Sequence, residues 1–188
     1  RLSEAELLSL AATLYSAGHR TTRDLFTNGL AALLSVPALA DAVRSGEIPV
    51  AAAVEEFLRF ETPTHYVARR LAEPIVLAGV EIPAGEPVTV LLSAGNRDPR
   101  AYDDPERFDP RRWLRAPAPP AVLSFAFGPH FCLGASLARL EAQVMLGTLL
   151  ATYPGIRRTG EPLVWRHTGL FRGLEALPVR PGSRAKPA

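Results

Sequence analysis

Apolar residues crowd every side of the first helical stretch. Leu7, Leu8, Leu10, Ala11, Leu14 and Tyr15 leave no polar face at a 3.6-residue period, which predicts a helix buried all round. Ser3 followed by Glu6 supplies a capping box to start it. The run continues through Leu25, Phe26, Leu30, Leu33 and Leu34 toward Pro37, with Gly18 and the Thr21-Thr22 pair inside it. Glycine costs ~1 kcal/mol against alanine in a helix, and threonine hydroxyls compete for backbone carbonyls, so a local disturbance is expected there.

Shorter patterns follow. Residues 37–44 predict a helix ending at Ser45-Gly46, and a second opens at Pro49, runs through Val54, Phe57 and Leu58 to Phe60, and stops before Pro63. From residue 66 to 92 the period shortens to strand-like runs at 66–67, 75–77, 80–82 and 88–92, with turns at Gly79 and Pro83-Ala84-Gly85. Residues 96–120 are rich in proline and charge, an irregular length that needs side-chain contacts to be ordered. Residues 134–153 return to helical spacing through Leu137, Leu140, Val144, Leu146 and Leu149, and a β-like tail ends at Leu177-Pro178-Val179. The fold class is therefore mainly α with small β-sheets, α+β.

Composition narrows the class. The 188 residues are 47% hydrophobic and 21% charged with a net charge of +2, the balance of an ordinary globular chain. Arginines are scattered among acids without a long run, which gives little support to nucleic-acid binding and leaves room for a small basic docking patch. No stretch of about 18 apolar residues predicts a membrane span, and the acidic start lacks the form of a secretory signal, so a cytoplasmic setting is expected. The single cysteine, Cys132, leaves a buried small residue, a free thiol or a ligand as its roles.

Cys132 sits in Phe125-Ala126-Phe127-Gly128-Pro129-His130-Phe131-Cys132-Leu133-Gly134, a glycine-bracketed loop directly before a helix. Unpaired N–H groups and the positive dipole end at a helix start favour a thiolate. Gly128 and Gly134 let a flat group approach, and Phe125 and Phe127 would shield the sulfur from water.

With this loop the sequence resembles the cytochrome P-450 superfamily, soluble bacterial type, over essentially its whole length and in the order of the C-terminal half of that fold. The other motifs that carry the resemblance are Ala17-Gly18-His19-Arg20-Thr21-Thr22, Glu56-Phe57-Leu58-Arg59, Asn96-Arg97-Asp98-Pro99, Phe108-Asp109-Pro110-Arg111-Arg112-Trp113 and Arg172-Gly173-Leu174-Glu175-Ala176-Leu177-Pro178-Val179. The resemblance implies a haem-thiolate monooxygenase that inserts oxygen into a small organic substrate. Its cofactor is haem b, with Cys132 as the metal's sulfur ligand and His130 and Arg69 toward the propionates. It further implies a structural triad of Glu56, Arg59 and Arg112. Thr21 becomes the oxygen-binding hydroxyl and Gly18 the place where the helix loosens. Tyr15, Thr64, His65, Tyr66, Val67, Leu170 and Phe171 become substrate-facing. A ferredoxin-type electron donor would dock near Arg111, Arg115 and Arg139. His19, His65 and His167 have no metal-ligand spacing. Residues 1–180 then form one haem-binding part and 181–188 a flexible tail.

Two departures from the family pattern stand out. An acid usually precedes the key threonine, whereas here Arg20 does, and a guanidinium stays protonated and cannot relay a proton. Arg20 either anchors a substrate carboxylate, as in peroxide-driven relatives, or turns away into an ion pair, or marks a site that has decayed. The second is length: the N-terminal half of the family's fold has no counterpart, so the chain reads as a fragment or a truncated homologue. The alternative function is a truncated, non-catalytic protein that self-associates or binds a partner, or haem weakly, through surface left bare.

Overall fold

A computed structural model describes residues 1–185, apart from the His167 side chain; residues 186–188 of the expected tail lie outside the described part. The helices are α1 (Glu4–Leu34), α2 (Pro37–Ser45), α3 (Val50–Phe60), the short α4 (Leu92–Gly95) and α5 (Ala135–Thr152). The strands are β1 (Tyr66–Arg70), β2 (Ile75–Leu77), β3 (Val80–Ile82), β4 (Pro87–Leu91), β5 (Arg157–Arg158), β6 (Trp165–His167), β7 (Arg172–Leu174) and β8 (Val179–Arg180). Among the described residues they pair as antiparallel two-stranded sheets, β1 with β4, β2 with β3, β5 with β8 and β6 with β7. The fold is mainly α with small sheets, as the periodicity implies.

Local signals account for most boundaries. The Ser3–Glu6 capping box is formed at the start of α1, and Gly46 ends α2 at φ 82°, a left-handed cap that suits glycine. Leu92 belongs to α4 and not to the preceding strand. The hairpin β6–β7 was not legible because its residues lack a clean two-residue alternation.

The core lies where the C-terminal half of α1 meets α2, α3 and α5, around Leu33, Ile48, Val54, Phe57, Leu58 and Leu146. At the crossing of α1 and α3 a β-carbon on Gly29 would lie 2.1 Å from Phe57 Cγ, so glycine there sets how closely the two helices approach.

Two expectations about α1 are corrected. Its first turns are not buried: residues 1–19 are exposed, Leu7 at 56%, Leu14 at 52% and Tyr15 at 74%. The buried residues of α1 begin at Asp24, because the elements packed on it reach only its later turns. Nor does the helix loosen at Gly18, since α1 is unbroken through that residue. The Thr21 hydroxyl donates to the Ala17 carbonyl at 2.6 Å, an extra bond on a helix that keeps its course.

Candidate functional site

The Glu56 carboxylate, fully buried on α3, organises the irregular segment that precedes the cysteine loop. It accepts from Arg59 Nε at 2.9 Å and Nη2 at 2.7 Å, from Arg112 Nε at 3.1 Å, from the Asp109 backbone N–H at 2.9 Å and from Trp113 Nε1 at 3.0 Å. The spare guanidinium N–H groups are satisfied too. Arg59 donates to the carbonyls of Asn96, Pro105 and Arg107, and Arg112 to those of Asp103, Asp104 and Arg107. Buried charges persist when paired and fully hydrogen-bonded. The i,i+3 spacing on α3 thus sets Arg59 beside Glu56, and Arg112 joins them from residues 110–114, which gives residues 96–120 a reason to be ordered.

Asn96 passes this order on to the loop. Its Nδ2 donates to Thr62 Oγ1 and to Ser124 Oγ, each at 2.8 Å, and its Oδ1 accepts from the Leu123 N–H at 2.7 Å. Ser124 Oγ in turn donates to the Leu58 carbonyl. The chain just before Phe125 is therefore pinned to α3. Asn96 was visible in the sequence only as part of a motif, without its role.

Beyond that anchor the loop turns tightly. Ala126 has φ 55° and Gly128 φ 78°, left-handed values that favour glycine at the second position. The Phe131 N–H donates to the Gly128 carbonyl at 2.9 Å and the Cys132 N–H to the Phe125 carbonyl at 3.0 Å. The Cys132 carbonyl accepts from the Ala135 N–H at 3.2 Å, which sets the sulfur at the mouth of α5. Phe125 is half-buried under the Arg139 guanidinium, 4.6 Å from its ring centroid. The expected shield is absent: Cys132 is exposed, and so are Phe127 at 70% and Phe131 at 52%. These rings lie open because no described element crosses the loop.

On α1 the Arg20 side chain turns to its own helix. Its Nε lies 3.5 Å from Asp24 Oδ2, its Nη2 donates to Thr168 Oγ1 at 3.4 Å, and its guanidinium carbon sits 5.1 Å from the Phe171 ring centroid. Here Arg20 pairs with Asp24. Four candidate substrate-side residues converge nearby: Thr64 bridges Phe171, and the His65 N–H donates to the Leu170 carbonyl at 2.9 Å. Tyr66 and Val67 follow on β1 and are half-buried. Tyr15, stacked on His19 at 5.7 Å, points into the open.

The remaining candidates are surface residues. Arg69 is exposed on β1, and His130 is exposed in the loop. The three docking arginines are already paired, Arg111 with Glu47, Arg115 with Asp109 and Arg139 with Glu55. Asp24, which sequence reasoning passed over, is 1% exposed and shared by three arginines.

The cysteine site fits a metal that brings its own equatorial ligands. Among the described residues no group of three or more His, Cys, Asp or Glu side chains could hold a bare ion. One exposed sulfur beside open phenyl rings and a glycine turn suits a flat, apolar macrocycle that needs a single axial protein ligand. No single described helix is long and apolar enough to cross a membrane.

Comparison with known proteins agrees with this geometry. The family model described as Cytochrome P-450 matches residues 47–156. Cytochrome P-450 107B1 of Saccharopolyspora erythraea is 44% identical over 186 residues, 97% of this chain and 45% of the relative. The cytochrome P-450 monooxygenase PikC of Streptomyces venezuelae is 43% identical over 183 residues, 96% of this chain and 43% of the relative. The solved structure of the tirandamycin C-bound P-450 monooxygenase TamI superposes with a TM-score of 0.87 at 41% identity, covering 95% of this chain and 44% of that one. The chain thus spans less than half the length of these relatives.

Proposed function

This chain belongs to the cytochrome P-450 family, and we propose that it is the haem-gripping part of a haem-thiolate monooxygenase acting on a small organic substrate in the cytoplasm. The observation that carries the reading is Cys132, the chain's single cysteine, exposed beside open aromatic rings, with its backbone N–H donating to the Phe125 carbonyl and its carbonyl accepting from the start of α5.

In this reading Cys132 would supply the sulfur that holds the haem iron, and Phe125, Gly128 and Gly134 would form the bed for the macrocycle. His130 and Arg69 would donate to its propionates, cations and N–H donors being suited to carboxylates. Bound haem supplies the redox chemistry of dioxygen, to which a thiolate ligand contributes electron density that favours O–O cleavage. Thr21 offers a hydroxyl on the substrate side. Arg20 orients its neighbours through its contacts with Asp24 and Thr168. Thr64, His65, Tyr66, Val67, Leu170, Phe171 and Tyr15 face the substrate. Electrons come from a ferredoxin-type donor on the cysteine side.

The test is spectroscopic. The purified chain, loaded with haemin, reduced and exposed to carbon monoxide, gives the red-shifted Soret band of a thiolate ligand, and Cys132→Ser abolishes it. An unshifted band in the unaltered chain overturns the reading. A second reading, a non-catalytic binding protein, draws on the exposed apolar residues of α1 and α5, among them Leu7, Leu14, Leu137 and Leu140. Absence of the band together with self-association favours that reading.

A further inference from the structure

Asp24 has no place in the oxygen chemistry, yet its carboxylate is buried and draws three cations. Arg23 Nη2 lies 2.9 Å from its Oδ1, Arg166 Nη2 3.2 Å from the same oxygen and Arg20 Nε 3.5 Å from Oδ2. Asp24 Oδ2 and Arg20 Nε are both buried without a hydrogen bond, so the pair is held by charge alone. Gly173 on β7 packs directly over the group: a β-carbon there would lie 2.4 Å from Asp24 Cγ. One turn further along α1, Asn28 Nδ2 donates to the Arg172 carbonyl at 3.0 Å.

The far side of the same hairpin is tied to residues 63–65. The Arg172 N–H donates to the Pro63 carbonyl at 3.0 Å, and the Arg172 guanidinium lies 3.8 Å from Glu61. Between these two anchorages runs the 168–171 turn with Leu170 and Phe171, closed by the Thr168 N–H on the Phe171 carbonyl at 3.2 Å. A buried ionic cluster adds little net stability against apolar packing, but removal of its one anion leaves cations without a partner. Its physical effect is to allow one arrangement of the parts it joins.

We propose that Asp24 is a positioning residue for substrate selection: through Arg20, Arg166 and the close fit of Gly173 it sets where Phe171 and Leu170 stand beside α1. This rests on the proposed function, because only in a haem-loaded protein is that turn a substrate wall. Asp24 acts through Arg20 and the hairpin and touches neither haem nor substrate.

Amide hydrogen exchange of the chain tests the anchorage. In Asp24→Asn the Thr168, Leu170 and Arg172 amides exchange about tenfold faster or more, while the Phe57 and Leu58 amides of α3 hold their rates. Gly173→Ala displaces the carboxylate from the other side and produces the same pattern if Asp24→Asn fails to fold. Unchanged exchange in the turn of either folded variant overturns the proposal. The second arm titrates haemin-loaded protein with imidazole and with 4-phenylimidazole, which share the metal-binding nitrogen and differ by a ring. Asp24→Asn weakens the phenyl compound about tenfold, ~1.4 kcal/mol, and leaves imidazole unaltered. An unaltered preference for the phenyl compound overturns the selective role. If the unaltered chain lacks the thiolate Soret band, the proposed function fails and takes the substrate role with it, and the exchange arm still reports whether Asp24 holds the turn.

Discussion

Gly29 and Phe57 are in such close apposition that any side chain at position 29 meets the ring: the ideal β-carbon lies 2.1 Å from Phe57 Cγ and 2.6 Å from its Cβ. The crossing of α1 and α3 therefore depends on the absence of one methyl group. Gly29→Ala is expected to destabilise the chain by about 1–3 kcal/mol through overpacking, more than its gain in helix propensity returns. Urea unfolding shows this as a lower midpoint at unchanged slope. Adding Phe57→Leu recovers part of the loss, since two residues in contact do not act additively.

Glu56→Gln removes the anion shared by Arg59 and Arg112, all three at or near zero exposure. The expected loss is about 3–5 kcal/mol, because two guanidinium groups remain buried without a counter-charge. Glu55→Gln breaks the half-exposed pair with Arg139 and costs at most about 1 kcal/mol. Thermal unfolding of the two variants side by side checks the contrast, and equal losses would refute it.

Burial raises the Glu61 carboxyl above its ordinary 4.5, against the opposing pull of Arg172 and Arg97. The folded state therefore holds this proton more tightly than the unfolded chain. Its contribution to stability is greatest below 4.5 and falls as pH rises from there through the folded value. Glu61→Gln keeps the shape and loses the titration. Subtracting its stability profile from that of the unaltered chain gives a difference that falls as pH rises through this window, and a flat difference would exclude the assignment.

Leu14 on α1 and Leu137 on α5 are 52% and 58% exposed, so their replacement by lysine removes apolar surface without opening a cavity. Leu14→Lys with Leu137→Lys is expected to reduce concentration-dependent association in sedimentation and to leave the unfolding free energy within about 0.5 kcal/mol of the original. A large drop in the midpoint would mean that these residues are packed after all.

Much of the fold and one half of the candidate site were legible in the chain itself. Helix starts and stops depend on neighbours a few residues away, so Ser3 with Glu6, Gly46 and the residues before Pro63 place them without tertiary information. The cysteine loop was legible for the same reason: a glycine-rich turn leading into α5 is a local arrangement. Glu56 and Arg59 share a helix face by spacing alone.

What remained hidden depends on residues far apart in sequence. Apolar spacing shows that a helix such as α1 wants cover on every side, but only the packed structure shows that residues 1–19 receive none. The same limit applies to Asp24, which looks like one more charged position in the sequence. Its burial is decided by Arg166 and Gly173, some 140 residues further on. Short-range rules fix which segments are helices and where the sulfur stands, because those are settled within a turn or two of backbone. The partners of Arg20, Asp24 and Phe171 are settled by the tertiary fold, because charge pairing and close packing act through space and leave no periodic trace along the chain.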